Sequence, residues 1–194
     1  MKYLGRALFF FLCLAAAGQT SPAPSTTNLQ PFTTLAQQQF GSSFTLDEKF
    51  PTPVITGDFD GDGVQDLVMV AVSKDPLPDS YQYKYRVADP YNEFFGFGDP
   101  RQTASMDRLD PRQSRDLLVI FGAGAEAWHA AAPKAKFVLI NVPFNNIALG
   151  RMLVKKNKPP IFVIKAIETE MMDSSVFWDA KKKRWRWQPG NTID

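Results

Sequence analysis

Residues 57–66 place four aspartates and three glycines in one short stretch between two β-prone segments. Their sequence is Gly-Asp-Phe-Asp-Gly-Asp-Gly-Val-Gln-Asp. Counted from residue 58, positions 1, 3, 5 and 9 are Asp58, Asp60, Asp62 and Asp66. Carboxylates at alternating positions of a tight loop point toward one centre, and calcium takes six to eight oxygen ligands at about 2.3–2.6 Å. The stretch therefore predicts a metal site, with Ca²⁺ as the ion.

The rest of the loop is consistent with this prediction. Gly61 and Gly63 permit the backbone angles that a tight curve requires. The Val64 carbonyl is available as a ligand, and Asp66 is expected to close the shell directly or through a water molecule. The alternative is an aspartate-rich turn without metal. Four carboxylates this close together repel one another if nothing neutralises them, which favours the metal.

An EF-hand begins with the same aspartate spacing but has glutamate at position 12 and helices on both sides. Position 12 here is Met69, inside the β-prone run at residues 66–72. A strand rather than a helix is therefore expected after the loop. This excludes the EF-hand.

The residues at 57–63, followed by Asp66-Leu67-Val68, resemble the calcium loops of FG-GAP (integrin α-type) and VCBS repeats. The resemblance implies a loop that joins two strands of a β-propeller blade. It also implies calcium ligands at Asp58, Asp60, Asp62, the Val64 carbonyl and Asp66. A closed propeller needs four to eight blades of about 40–50 residues, and this chain has one such loop. The expected fold is therefore mainly β, a small antiparallel β domain with a propeller-blade-like calcium hairpin and a few short helices.

The chain begins with a segment typical of secretory signal peptides at residues 1–17. Lys2 and Arg6 precede an apolar run at 7–17 that ends in three alanines. The run is shorter than the roughly 20 residues of a membrane span. A secreted or periplasmic protein with no membrane span is therefore expected. Residues 18–31, polar and proline-bearing, are expected to be a flexible lead-in, and 32–194 a single β-rich domain.

Loss of residues 1–17 changes two properties of the chain. The only cysteine, Cys13, is removed, so no disulfide is expected. Of the 22 basic residues, 20 remain to balance 20 acidic ones. A neutral chain gives no electrostatic reason to expect nucleic acid as a partner.

Hydrophobic patterns place the remaining elements. Continuous apolar runs predict strands, and alternation over 81–87 predicts a half-buried strand. Residues 89–115 lack periodicity but are rich in aromatics, which indicates an ordered excursion packed by its own side chains. The predicted strands are 66–72, 116–121, 137–142, 151–156, 161–167 and a closing hairpin at 175–178 and 184–187; short helices are predicted at 32–40 and 125–132.

No catalytic motif accompanies these elements. His129 is the only histidine, and a packing role beside Trp128 is favoured over catalysis. There is no G-x-S-x-G or H-E-x-x-H sequence. Hydrolysis by a carboxylate pair needs only Asp or Glu, so an enzyme of this kind stays an alternative.

In the closing hairpin, strand alternation places Trp185 and Trp187 on one face and Arg184 and Arg186 on the other. That tryptophan face suits the core or a stacked sugar or base. The aromatics of 81–97 suit a recognition surface or self-packing.

Three hypotheses follow. The first is an exported, non-catalytic calcium-binding β domain that binds a protein or glycan ligand. The second is an envelope hydrolase that uses carboxylates, with calcium as a scaffold. In the third, the domain completes a larger propeller by association with another chain.

Overall fold

The computed structural model describes residues 28–105, 110–154 and 159–190. The predicted signal peptide and residues 18–27 of the lead-in lie outside this part. The described chain is mainly β, with ten strands in two sheets and a few short helices. The longest described helix, α1 (Gln30–Phe40), has 11 residues, and no described helix is long and apolar enough to cross a membrane.

The first sheet has six strands and the second has four. In the first sheet, β3 lies between β5 on one side and both β1 and β2 on the other, and the order continues through β5 and β6 to β4. All its pairings are antiparallel except β4–β6. The second sheet is an antiparallel meander in the order β10-β9-β8-β7. The strands are β1 (Phe44–Leu46), β2 (Val54–Gly57), β3 (Asp66–Ser73), β4 (Arg86–Ala88), β5 (Asp116–Phe121), β6 (Ala135–Leu139), β7 (Asn146–Met152), β8 (Ile161–Ile167), β9 (Asp173–Asp179) and β10 (Arg184–Pro189).

The first sheet is the middle of three layers, which explains why its central strands are apolar on both faces. On β3, Val68 and Val70 face a core shared with the second sheet. Leu67 and Met69 face a second core that is covered by α1. The predicted strands at 66–72 and 116–121 are confirmed, and both are buried almost throughout.

The closing hairpin supplies the largest side chain of the core between the sheets. Trp185 is 1% exposed, and its ring centroid lies 5.7 Å from that of Phe121 and 5.9 Å from that of Phe137. Trp187 is also buried, whereas Arg184 is exposed. The predicted separation of the tryptophan and arginine faces is confirmed. The face of Trp185 belongs to the core rather than to an open stacking surface.

The predicted strand over 81–87 is wrong in its first half. Residues Ser80–Tyr83 form a short helix, α2, and Lys84 follows with a φ of 55°. Tyr81 is 94% exposed, whereas Tyr85 is buried and donates its hydroxyl hydrogen to the Pro76 carbonyl. The alternating tyrosines therefore reflect a helical turn and one buried anchor instead of a strand face.

The region 89–115 contains short helices that its lack of periodicity concealed. They are α3 (Pro90–Phe94), α4 (Pro100–Thr103) and a 3-10 helix at Pro111–Gln113. Each begins at an Asp-Pro pair, and the aspartate carboxylate accepts a backbone N–H from the first turn. Aspartate at the N-cap with proline after it is a known helix-start signal. Residues 106–109 lie outside the described part.

Four further boundaries differ from the prediction. The strand expected at 137–142 is β6, which begins two residues earlier and ends at Leu139. α1 begins at Gln30, so residues 30–31 belong to a helix and not to the lead-in. The helix expected at 125–132 is a 3-10 helix at Gly124–His129, broken where Ala127 adopts a φ of 53°. The strand expected at 151–156 is displaced toward the N-terminus, because β7 ends at Met152. Residues 155–156 of that prediction are outside the described range.

Candidate metal centre

The aspartate loop connects β2 to β3, which pair antiparallel with Gly57 opposite Asp66. Residues 58–65 therefore form the connection at one end of the β2–β3 pair. Gly61 and Gly63 have φ values of 78° and 85°. No atom lies within 4 Å of a Cβ built at either position. These glycines are needed for the backbone conformation, and not because the loop is crowded.

Asp58 organises the curve of the loop through both of its carboxylate oxygens. Its Oδ1 accepts the N–H groups of Gly61 and Asp62, at 2.8 and 3.0 Å. Its Oδ2 accepts the N–H of Gly63, at 2.9 Å. The backbone is thus wrapped around the first aspartate, which leaves that carboxylate facing the inside of the loop.

Asp66 anchors the loop to the sheet. It is 1% exposed, and its Oδ2 accepts the N–H groups of Phe59 and Asp60, at 2.8 and 3.3 Å. Its Oδ1 accepts the N–H of Gly122 at the end of β5, at 2.8 Å. Burial raises the pKa of this carboxyl to about 7, although the N–H groups of Gly122 and Phe59 act in the opposite direction. One buried carboxylate therefore joins the loop, β3 and the end of β5.

The connection between β5 and β6 packs directly on the loop. A Cβ on Gly122 would lie 2.3 Å from the Gln65 carbonyl oxygen and 2.8 Å from the Ala127 carbonyl carbon. Only glycine permits this close approach of two backbones. The Trp128 Nε1 donates to the side-chain oxygen of Gln65 at 3.1 Å. The loop is therefore braced from a segment about 60 residues further along the chain.

Lys134, just before β6, provides a positive charge at the rim of the loop. Its Nζ lies 2.7 Å from Asp60 Oδ2 and 2.5 Å from Asp62 Oδ2. The hydrogen bond from Lys134 lowers the pKa of Asp62. The two aspartates in turn raise the pKa of Lys134. Carboxylate repulsion, which favoured a metal at the sequence level, is thus already partly relieved within the protein.

Three of the five predicted ligands converge. Carboxylate oxygens of Asp58, Asp60 and Asp66 all lie within 4.8 Å of one another. Two oxygens that share an ion at about 2.4 Å can be no more than about 4.8 Å apart, so the trio fits one cation. Hard carboxylate oxygens suit Ca²⁺ or Mg²⁺ better than soft metals. The converging trio alone does not select between these two ions.

The other two predicted ligands are placed differently. Asp62 lies outside the trio, and its carboxylate binds Lys134 and the N–H of Val64. Val64 therefore takes part in the hydrogen bonding of the loop through its N–H, which donates to Asp62. Coordination by the Val64 carbonyl stays a prediction.

His129 follows Trp128 in the chain and contacts the ring of that residue. Its ring stacks on that of Trp128, with 3.5 Å between the ring centroids. Trp128 stacks in turn on Phe32 of α1 at 5.7 Å. These are packing contacts, the role that the sequence favoured for His129.

No family model, curated protein or solved structure matches this chain. The description of the site therefore rests on its own residues and on their geometry.

Proposed function

We propose that this protein is an exported, calcium-binding β domain of the FG-GAP/VCBS type that acts as a non-catalytic binding module. The observation that carries the proposal is the convergence of Asp58, Asp60 and Asp66 in a loop between two antiparallel strands. Those three carboxylates would hold the ion, with Asp62 and the Val64 carbonyl completing the shell. In this proposal the β2–β3 pair would be the propeller-blade-like hairpin that the resemblance implies.

Calcium and export are supported by sequence features. The order of aspartates and glycines in the loop is the one that the calcium-binding repeats use. The segment at 1–17 has the pattern of a secretory signal peptide. Extracellular calcium modules bind with dissociation constants of about 10⁻⁴–10⁻³ M, which suits a compartment rich in calcium. The non-catalytic role is part of the proposal and is consistent with a sequence in which no nucleophile–base motif accompanies His129.

In this proposal the ion stabilises the fold. Asp66 already ties the loop to β5, so a cation shared by Asp58, Asp60 and Asp66 would fasten the β2–β3 pair to the middle of the first sheet. At a free calcium concentration ten times the dissociation constant, linkage adds about 1.4 kcal/mol to the free energy of unfolding. For a chain of this size that corresponds to an increase of about 3–6 °C in Tm.

The proposed function is tested by thermal denaturation of the purified protein in calcium and in EDTA. We expect Tm to be about 3–6 °C higher in calcium than in EDTA, with a smaller increase in magnesium at the same concentration. The double variant Asp58→Asn/Asp60→Asn is the matched control and should melt at one temperature in all three conditions. Identical melting curves for the wild type in calcium and in EDTA would contradict the proposal.

Lys134 is expected to compete with the ion, because its ammonium group occupies oxygens of Asp60 and Asp62. We predict that Lys134→Met increases the affinity for calcium. The Lys134 side chain is 48% exposed, so solvent screens the effect to about 0.5–1 kcal/mol, roughly a two- to fivefold decrease in Kd. Competition with a chromophoric chelator would measure it.

Lys182→Met is the control for this change, since Lys182 is exposed in the turn between β9 and β10. It removes the same charge from the chain without removing a contact to the loop. A lower calcium affinity in Lys134→Met than in Lys182→Met would show that Lys134 braces the loop for the ion instead of competing with it.

A further inference from the structure

A second surface of functional interest lies where α3 packs on β10. Four rings form an aromatic patch there: Tyr91, Phe94, Phe95 and Trp187. The ring centroids of Tyr91 and Phe94 each lie 5.0 Å from that of Trp187, and Phe94 lies 5.1 Å from Phe95. Phe94 and Phe95 are nevertheless 50% and 52% exposed. The patch is therefore ordered by packing and open to solvent at the same time.

The apolar surface continues beyond the patch. Met171 and Met172, in the turn between β8 and β9, are 93% and 54% exposed. With Tyr91 and Trp187 they line a shallow cavity of about 290 Å³. Phe97, two residues after the patch, is 65% exposed. At about 200 Å² per aromatic side chain, the three phenylalanines alone expose roughly 330 Å². With the methionines, the surface is as large as the functional apolar patches of soluble proteins.

Positive charge flanks one end of the patch. Lys181, Lys182 and Lys183 are exposed in the turn between β9 and β10, and two arginines follow in β10. Among the described residues, the acidic groups that face this end are Glu93, which binds Arg184, and Asp179, which is 3.9 Å from Arg186. With five basic and two acidic groups in that part of the chain, this basic end is net positive.

Negative charge flanks the other end. Glu168, Glu170 and Asp173 surround the turn that carries the two methionines, and Asp110 adds a fourth carboxylate through its shared partner Arg112. In the part of the chain that the structure describes, the basic groups that face them are Arg112, 2.8 Å from Glu168, and Lys165, 3.1 Å from Asp173. This acidic end is therefore net negative. It lies at the opposite end of β9 from the lysines, and the strand's seven residues span about 20 Å.

We propose that this surface binds a second copy of the chain in a two-fold symmetric dimer. In such an interface each surface meets itself in reverse orientation. An axis through the aromatic patch brings the basic end of each copy against the acidic end of the other, so both charge contacts are attractive. An anionic membrane would meet attraction at one end and repulsion at the other. Phe94 and Phe95 alone expose roughly 200 Å², about a quarter of the ~800 Å² that each partner contributes to a standard interface.

The mass of the protein in solution tests the dimer. Light scattering and sedimentation equilibrium, from low micromolar to several hundred micromolar protein, should show a reversible increase from one to two chains. Phe94→Ser/Phe95→Ser should weaken this association at least tenfold. Tyr81→Ser removes an aromatic that is 94% exposed outside the patch and should leave it unchanged. A wild type that remains monomeric over the whole range would overturn the proposal, as would equal association by the two variants.

Charge reversal tests the orientation without altering the aromatic packing. One variant carries Lys181→Glu, Lys182→Glu and Lys183→Glu, and the other carries Glu170→Lys and Asp173→Lys. Each should be monomeric alone, because like charges then meet at both ends. An equimolar mixture should form a heterodimer, in which each altered end meets an end of opposite sign. If the mixture remains monomeric, or if the monomer instead sediments with vesicles of anionic phospholipid, the two-fold dimer is wrong. Unchanged circular dichroism confirms that the variants are folded.

Discussion

Replacing Asp66 with alanine is expected to lower the free energy of unfolding of the calcium-free protein by about 3 kcal/mol. The buried carboxylate accepts three backbone N–H groups, from Phe59, Asp60 and Gly122. A buried donor that loses its acceptor costs about 1–3 kcal/mol. Removal of a carboxyl whose pKa is raised by burial returns part of that cost. Urea denaturation in EDTA, followed by tryptophan fluorescence, measures the difference.

Asp62→Ala is the matched control, since it removes a carboxylate from the same loop. Asp62 is exposed and is bound by Lys134 and by the N–H of Val64. An exposed ion pair of this kind contributes at most about 1 kcal/mol. Equal destabilisation by Asp66→Ala and Asp62→Ala would mean that Asp66 does not anchor the loop to β5.

The second large effect is expected at Trp185, which fills the core between the two sheets. Trp185→Ala should lower the free energy of unfolding by about 3–5 kcal/mol, the range measured for the loss of a large buried aromatic side chain. The ring contacts Phe121 and Phe137 of the first sheet from β10 of the second. Its removal therefore weakens the packing of the two layers.

Trp185→Phe separates packing from hydrogen bonding. The indole Nε1 of Trp185 is buried and has no hydrogen-bond partner among the described residues. Phenylalanine keeps much of the apolar contact and removes that unsatisfied donor, whose burial is itself unfavourable. We expect a loss of no more than about 1.5 kcal/mol, as for conservative core replacements. A similar loss for the alanine and phenylalanine variants would contradict the packing of Trp185 between the sheets.

The fold class was predictable because its signals are local. Apolar runs at 66–72 and 116–121 marked strands buried on both faces, and the layers on either side of the first sheet account for them. The alternation of tryptophan and arginine in the last strand predicted which side faces the core. The strand expected over 81–87 was wrong in its first half, because three tyrosines happened to fall at every second position. The Asp-Pro pairs of 89–115 carried a helix signal that the absence of long periodicity obscured.

Only the part of the candidate site that lies in the loop itself was predictable from the sequence. The spacing identified the three carboxylates that converge, Asp58, Asp60 and Asp66, but it did not set Asp62 apart from them. Gly122 and Lys134 contact the loop from 56 and 72–74 residues away. No pattern near residue 134 announces that contact, because it depends on the pairing of β3 with β5 and of β5 with β6. The sequence therefore indicated the acidic groups but not the internal cation beside them.

A direct calcium titration of the metal-free protein tests the central claim most directly. Calorimetry or equilibrium dialysis should detect one ion per chain, with a Kd of about 10⁻⁴–10⁻³ M. In the Asp58→Asn/Asp60→Asn variant, which keeps the shape of both side chains, that binding should be lost. Absence of binding by the wild type at millimolar calcium, or equal binding by the wild type and this variant, would contradict a metal site in the β2–β3 loop.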